Sequence, residues 1–494
     1  MRSHSLEKSG NVELSAVALV TSNSYSYQLV SRRKSLVAMV SASSYHEQRL
    51  KPWKPSIQRT FVFTNVSLVD VEAGVIHENT TVKLSGGRIE NIKLHSRTND
   101  DVDPSSFSDV ETRVDFRGKY LCPGLFDCHV HIVAVPGERE WQDTKSLNPT
   151  ASAYRHAYVC QQMLDRGFTT VRDCGGASLA LKQSIEDGLI QGPRLFIAGN
   201  FLSQTGGHGD TRGSHDHSKI ECCGGGSSNF PSFICDGVPE CLRAARENIR
   251  TGSDFIKIMG GGGVCSPTDR IDNVQFTSEE ISAITTVAKN SQTYVTSHAY
   301  TPQSIRQAME NGVMGIEHGN MIDKETAELM AEKGAYLTPT LVTYTAMGDE
   351  KFAGYMPAES MEKNAEVYVA GLKGLKIAAD AGVNICYGSD LLGHLGVTQL
   401  NEFTIRSQVL PPLAILRSAT ITPAKMMRQE RFLGQIKQGF AADVLVLNAN
   451  PLDDINILAN PENHLLAVIK DGRVCMSRWT LLDQDVQRQR PYIE

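Results

Sequence analysis

The sequence contains no stretch approaching the ~18 consecutive apolar residues that a membrane-spanning helix needs, so a helical membrane protein is not expected. An excess of charge of one sign is also missing. The 49 Lys and Arg stand against 55 Asp and Glu, for a formal net charge of -6 spread along the chain, and no basic footprint for nucleic acid emerges. Cysteine is sparse: 11 in 494 residues, odd in number and irregularly placed, which argues against a disulfide framework and suits a reducing compartment such as the cytoplasm. Residues 1–58 are rich in Ser but lack an apolar h-region followed by a small-residue cleavage site. A disordered extension is expected there. Arg32, Arg33 and Lys34 suggest organelle import as the alternative, which Glu7 and Glu13 oppose.

What remains is globular in composition, 41% hydrophobic and 21% charged, and long enough for one large catalytic domain with a smaller companion. From Phe61 to Val114 short apolar stretches (FVFTNVSLVDV, TTVKLSGGRIENIKL) alternate with turn signals such as Gly86 and Gly87. The style returns near the C-terminus in ADVLVLNANPLDDI and HLLAVIKDGRVCM. Strands from both ends are therefore expected to build one flanking β-sandwich from residues 59–118 and 431–480, with a tail at 481–494. Between them, eight candidate strands alternate with helical patterns: YLCPGLFDCHVH, GFTTVRDC, RLFIAGN, DFIKIMG, TYVTSHAY, VMGIEHG, AYLTPTL and NICYGSD. That number and alternation predict an α/β fold, a (β/α)8 TIM barrel over residues 119–430.

In such a barrel, function gathers at the C-terminal strand ends. His129 and His131 lie two apart, so a strand turns both side chains to one face. His298 closes the fifth strand, His318 the sixth and Asp390 the eighth. Taken singly, each histidine reads as readily as a hydrogen-bonded core residue, and Asp390 as a helix cap. Five together point to a divalent cation site. Lys257 ends the fourth strand inside an apolar run, where an unpaired ammonium is costly to bury, so it needs a partner or a modification. Carboxylation of its amine by CO2 would give an anionic carbamate able to bridge two cations; a salt-bridged lysine is the plain alternative. Arg172 and Asp173, ending the second strand, are expected to support the ligands. Glu317 is expected to face away from His318 as a solvated or salt-bridged group. The Gly-rich segment from Ser203 to Gly237, with His208, His215, His217, Cys222, Cys223 and Cys235, is expected to be a lid, with a flexible insertion as the alternative. Its His and Cys spacing fits no standard structural zinc pattern.

The motifs GLFDCHVH, TTVRD, SQTGGHGD, FIKIMGGGG, TSHAY, GIEHG and YGSD together resemble the binuclear amidohydrolase superfamily, in particular its dipeptidase-like group of prolidases, carboxypeptidase-like enzymes and ochratoxinase, over about residues 60–480. The resemblance implies that His129, His131, Lys257 and Asp390 bind one metal and that carbamylated Lys257, His298 and His318 bind the other, with a hydroxide between them. Zinc is the default for such ligands, and manganese or cobalt would fit. Asp390 would then carry the hydroxide's proton to the leaving nitrogen. Tyr300 and His208 would contact the substrate, each having an ordinary core or surface role as its alternative. Ochratoxinase is expected to have a histidine where this chain has Tyr300, which leans the reading toward dipeptidase-like chemistry on a small carboxylate-bearing amide. Cyclic-amide hydrolysis and a non-catalytic scaffold are the competing readings, and homo-oligomerisation is compatible with the family.

Overall fold

The computed structural model describes residues 50–53, 58–95, 111–137, 147–217, 231–266, 269–355 and 358–485. The chain divides into a unit up to Lys54 and a unit from Pro55 onward, and everything below concerns the second. The expectations for the N-terminal extension and for Cys222 and Cys223 lie outside the described residues.

Five strands open the chain: β1 (Thr60–Asp70), β2 (Val75–Ser85), β3 (Arg88–Leu94), β4 (Glu111–Asp115) and β5 (Tyr120–Pro123). Ten follow in the middle: β6 (Leu125–Val130), β7 (Phe168–Asp173), β8 (Arg194–Ile197), β9 (Phe201–Ser203), β10 (Ser232–Ile234), β11 (Ile256–Met259), β12 (Val295–Ala299), β13 (Gly315–His318), β14 (Tyr336–Thr338) and β15 (Asn384–Ile385). Three more, β16 (Val444–Leu447), β17 (Leu465–Lys470) and β18 (Arg473–Ser477), close it. The eight strands from the two ends do form one sheet, β18-β17-β16-β5-β1-β2-β3 with β4 on β1, around a core that includes Phe61, Phe63, Leu121, Val446 and Ile469.

The stretch YLCPGLFDCHVH, expected as one strand, is two. At Gly124 the chain changes sheets: its N–H donates to Asp443 O, while the next N–H, of Leu125, donates to Gly167 O. Only glycine fits there, because a Cβ would lie 2.1 Å from Thr169 Oγ1. Thus β5 completes the terminal sheet through β16, and β6 begins the parallel set through β7.

The middle strands pair in parallel as β6-β7-β8 and as β10-β9-β11-β12-β13-β14-β15. Backbone hydrogen bonds join the two groups at both ends. Asp254 N–H donates to Ile197 O beyond β8, and Cys128 N–H of β6 donates to Tyr387 O just past β15. The expected third strand is broken at Gly199 (φ 68°) and resumes as β9, which pairs with β11. Helices follow most strands: α1 (Pro149–Asp165), α2 (Leu179–Glu186), α3 (Gly237–Arg250), α4 (Ser278–Asn290), α5 (Pro302–Glu310), α6 (Lys324–Glu332), α7 (Leu341–Gly348) and α8 (Ala358–Asp380). Their starts are written in the sequence: a Thr277/Glu280 capping box opens α4, Thr301 with Pro302 opens α5, and Asp323 opens α6. Ile256, Ile258, Val295 and Ile316 pack beneath Ile281, Ile284, Ile305 and Met309 of those helices. This apolar layer fixes the strands, so their C-terminal ends can hold polar groups.

Within the Ser203–Gly237 segment the structure adds a strand that periodicity did not reveal. β10 pairs with β9, and Cys235 is buried against Cys241 of α3 rather than joining any metal cluster among the described residues. His215 and His217 are exposed.

Candidate functional site

Every residue predicted for the site faces one cavity of about 1170 Å³, counting its open mouth: His129, His131, His208, Lys257, His298, Tyr300, His318 and Asp390 all line it. His129 and His131 leave the end of β6 with both Nε2 atoms 3.3 Å from the same Asp390 Oδ1. Asp390 reaches them because its N–H donates to His129 O at 2.7 Å and its backbone is left-handed, with φ 52°. His129 and His318 ring centroids are 5.0 Å apart, and His318 and His298 are 4.5 Å apart. Ligand atoms of His129, His318 and Asp390 lie within 4.8 Å of one another.

Each histidine commits one ring nitrogen to an oxygen and leaves the other for the cavity, the arrangement that prepares imidazole for a cation. His129 Nδ1 meets Glu317 Oε2 at 2.9 Å and His131 Nδ1 meets Gly175 O at 2.9 Å. His318 Nδ1 meets Thr340 Oγ1 at 2.8 Å, and His298 Nε2 meets Gly262 O at 3.0 Å. Burial pushes His129 down to about 4 and holds His298 and His318 well below the usual imidazole range, so these rings are neutral and carry a lone pair. Burial would also lower His131, but its hydrogen bond to Asp390 raises it. For Asp390, burial works against the charge. His129 and His131 outweigh it and hold the carboxyl well below its ordinary range.

Lys257 is 1% exposed, and its amine makes no hydrogen bond or ion pair among the described residues. Burying an amine without a hydrogen-bond partner is costly. The donor set as a whole, nitrogen-rich and completed by carboxylate-type oxygens, fits divalent metal.

Of the two expectations for Glu317, the salt-bridged one holds and the solvated one does not. The residue is wholly buried, paired with the Arg172 guanidinium, accepts from Thr296 Oγ1 and orients His129. Strand alternation sends Glu317 into the interior, and His318 reaches the cavity as well because its backbone leaves the β region, with φ 74°. Burial would raise Glu317, yet Arg172 outweighs it and keeps the carboxyl well below its usual range. Arg172 also donates to Cys128 O at 2.6 Å and stacks 5.0 Å over Phe255. Asp173 accepts from the N–H of Ile132, Gly175 and Ala177, which sets the turn after His131 and the carbonyl that holds its ring.

Two supports went unread in the sequence. Asp127, on the same face of β6 as His129 and His131, accepts from the N–H of His129 and Ser389 and from Gln399 Nε2, tying the first strand to the GSD segment. The spacing Asp127, His129, His131 was the available signal. The second is the loop after β11. His208 Nδ1 meets Ser266 Oγ at 2.8 Å, Ser266 donates to Asp269, and the His208 ring stacks on His298 with centroids 4.3 Å apart. Gly263 makes this possible, since a Cβ there would lie 2.0 Å from the His208 ring.

The model of the Amidohydrolase family matches residues 120–475. Ochratoxinase from Aspergillus niger is 33% identical over 360 residues, covering 71% of this chain and 75% of the relative. Among solved structures, a prolidase complexed with N-methylphosphonate-L-proline is 40% identical with a TM-score of 0.79, covering 85% of this chain and all of that one. A Xaa-Pro dipeptidase with bound methionine is 28% identical with a TM-score of 0.73, covering 84% of this chain and 99% of that one. With the match spanning the strands that carry the site, the chain belongs to the amidohydrolase family, in the dipeptidase-like group of that superfamily.

Proposed function

We propose that this protein is a metal-dependent hydrolase of an amide or peptide bond in a small carboxylate-bearing substrate: a dipeptide, an N-acyl amino acid or an ochratoxin-like amide. One observation carries the reading. Two imidazole nitrogens from the end of β6 and the Asp390 carboxylate meet at a single point, beside a buried lysine whose amine makes no hydrogen bond or ion pair among the described residues. The joined parallel strands support a closed (β/α)8 barrel over 119–430, with residues 59–118 and 431–480 as its flanking β-domain.

His129, His131, Lys257 and Asp390 would hold one cation, and carboxylated Lys257, His298 and His318 a second. When bound, two such ions, zinc being the default for these donors, supply an activated water and a Lewis acid for the carbonyl. Asp390 takes the proton of the attacking water and passes it to the leaving nitrogen, a role suited to a carboxylate held between two imidazoles. Tyr300 donates its hydroxyl to the scissile carbonyl oxygen. Burial raises its phenol well above the ordinary range, so it keeps that proton. His208, fixed by Ser266, contacts the substrate carboxylate. Val133, Phe201, Val264, Met347, Leu392 and Leu395 wall the cavity and fit an apolar group on the substrate.

A panel of Xaa-Pro dipeptides, N-acyl amino acids and cyclic amides tests the proposal on the metal-loaded full chain, with Asp390→Asn as the paired variant. Turnover of linear amides, lost by at least ~1000-fold in Asp390→Asn at unchanged melting temperature, is expected. Activity confined to rings would overturn the substrate assignment.

A further inference from the structure

One buried group near the cavity has no part in that chemistry. Tyr344, on α7, is 2% exposed. Its Oη lies 3.0 Å from Tyr300 Oη and 3.1 Å from His318 Nδ1. The donors and acceptors present set the direction of these hydrogen bonds. His318 turns one nitrogen toward the cluster with His129 and Asp390, which needs a lone pair there, so its Nδ1 carries the hydrogen. Two hydroxyl oxygens, Thr340 Oγ1 at 2.8 Å and Tyr344 Oη, accept it. Tyr344, having accepted from His318, donates its own hydrogen to Tyr300 Oη. Tyr300 has no protein acceptor among the described residues for its remaining hydrogen. Tyr300 lines the cavity, so a substrate oxygen bound there can accept that hydrogen.

We infer that Tyr344 is a positioning residue that fixes Tyr300 as a hydrogen-bond donor to the substrate oxygen, through a one-way chain His318 Nδ1–H, Tyr344 Oη–H, Tyr300 Oη–H. The inference rests on the proposed role of Tyr300 as a substrate contact. Without Tyr344 the Tyr300 hydroxyl is free to rotate and to offer a lone pair instead of a hydrogen, and a donor that must be reoriented stabilises the developing charge less well. The chain also couples the two sides of the site. Successive hydrogen bonds from His318 Nδ1–H through Tyr344 polarise one another toward Tyr300. Tyr344 also meets His318 Nδ1, but Thr340 Oγ1 meets the same nitrogen at 2.8 Å and still orients that ring when the Tyr344 hydroxyl is removed, so unchanged metal content marks an effect that passes through Tyr300 rather than through His318.

The experiment is a double-mutant cycle on the metal-loaded full chain with Tyr300→Phe, Tyr344→Phe and the pair. It reads bound metal per chain, melting temperature, kcat and KM with methionyl-proline and N-acetyl-L-proline. Both substitutions keep the ring and remove one oxygen. The expected result is unchanged metal content and melting temperature for Tyr344→Phe and a kcat lower by about tenfold at nearly constant KM, the loss of a single oriented hydrogen bond. The double variant should match Tyr300→Phe alone. Independent, multiplying losses would overturn the inference, and so would loss of metal in Tyr344→Phe or wild-type kcat in Tyr344→Phe beside an impaired Tyr300→Phe. Wild-type kinetics in Tyr300→Phe would sink the role of Tyr300 itself, which is a distinguishable failure.

Discussion

Replacing Glu317 by Gln changes one atom's charge and little volume, yet the structure predicts a double failure. One carboxylate oxygen serves the Arg172 guanidinium and the Thr296 hydroxyl, and the other accepts from His129 Nδ1 at 2.9 Å. An amide has one acceptor oxygen. If that oxygen stays on Arg172, the NH2 faces the His129 N–H, donor against donor, and the ring must shift its hydrogen to Nε2, the nitrogen directed at Asp390. If the amide flips, the NH2 confronts the guanidinium. In either case Arg172, itself fully buried, loses its countercharge. Removing one partner of a buried pair costs about 3–5 kcal/mol. At ~2.1 cal/mol/K per residue over roughly 390 described residues, that lowers the melting temperature by ~4–6 °C. Losing the acceptor behind a ligating histidine weakens metal affinity by about 10–100-fold. Calorimetry and metal titration with a competing chelator measure the two separately. The double variant Arg172→Met with Glu317→Leu sharpens the test, since an apolar replacement of the whole pair restores melting temperature but leaves His129 without its acceptor. A Glu317→Gln protein with wild-type melting temperature and metal affinity would refute the reasoning.

Three further outcomes follow from neighbouring groups. Metal-free protein prepared in CO2-depleted buffer should regain activity faster with zinc plus bicarbonate than with zinc alone, whereas Lys257→Met should regain none; equal rates would remove the carbamate. Lys363 on α8 donates to the carbonyls of Gly263, Ser266 and Asp269, at 3.3, 3.2 and 2.8 Å, and so clasps the loop that carries Val264 and holds His208. Lys363→Met should raise KM by about five- to tenfold with a smaller change in kcat, the loss of a charged hydrogen-bond donor; steady-state kinetics would show the reverse if the loop were held otherwise. Asp127 is pushed by burial up to about 6, only partly offset by its donors Gln399 and Ser389. An acid whose folded value lies above its unfolded one takes up a proton on folding, so its contribution is greatest below the unfolded value near 4 and is lost as pH rises through about 6. The stability of the wild type relative to Asp127→Asn should therefore fall by about 2 kcal/mol from pH 4 to pH 7, measured by urea unfolding; a flat difference would contradict it.

The sequence was informative wherever a local rule links spacing to direction. His129 and His131 share a face because a strand repeats every two residues, and His298 and His318 stand at the ends of β12 and β13 as their patterns predicted, whereas Lys257 lies within β11 and Asp390 lies in the turn beyond β15. The same rule misjudged Glu317. It took the residue to face away from His318, whereas the left-handed backbone at His318 lets neighbours in sequence both turn inward. It also merged β5 with β6, because the change of sheet at Gly124 is dictated by the approach of Thr169, 45 positions further on.

Sequence alone thus determined the alternation of most strands and helices, the β-rich character of both ends, and the side chains that stand near the mouth, since these follow from short-range periodicity and capping. Only the tertiary structure decided what stands behind those side chains: Glu317 and Arg172 behind His129, Thr340 and Tyr344 behind His318, Ser266 and Asp269 behind His208. Such partners meet across a low-dielectric interior, where an unpaired polar group is costly. Which partners come within reach depends on how distant strands are placed side by side, and no local pattern along the chain encodes that.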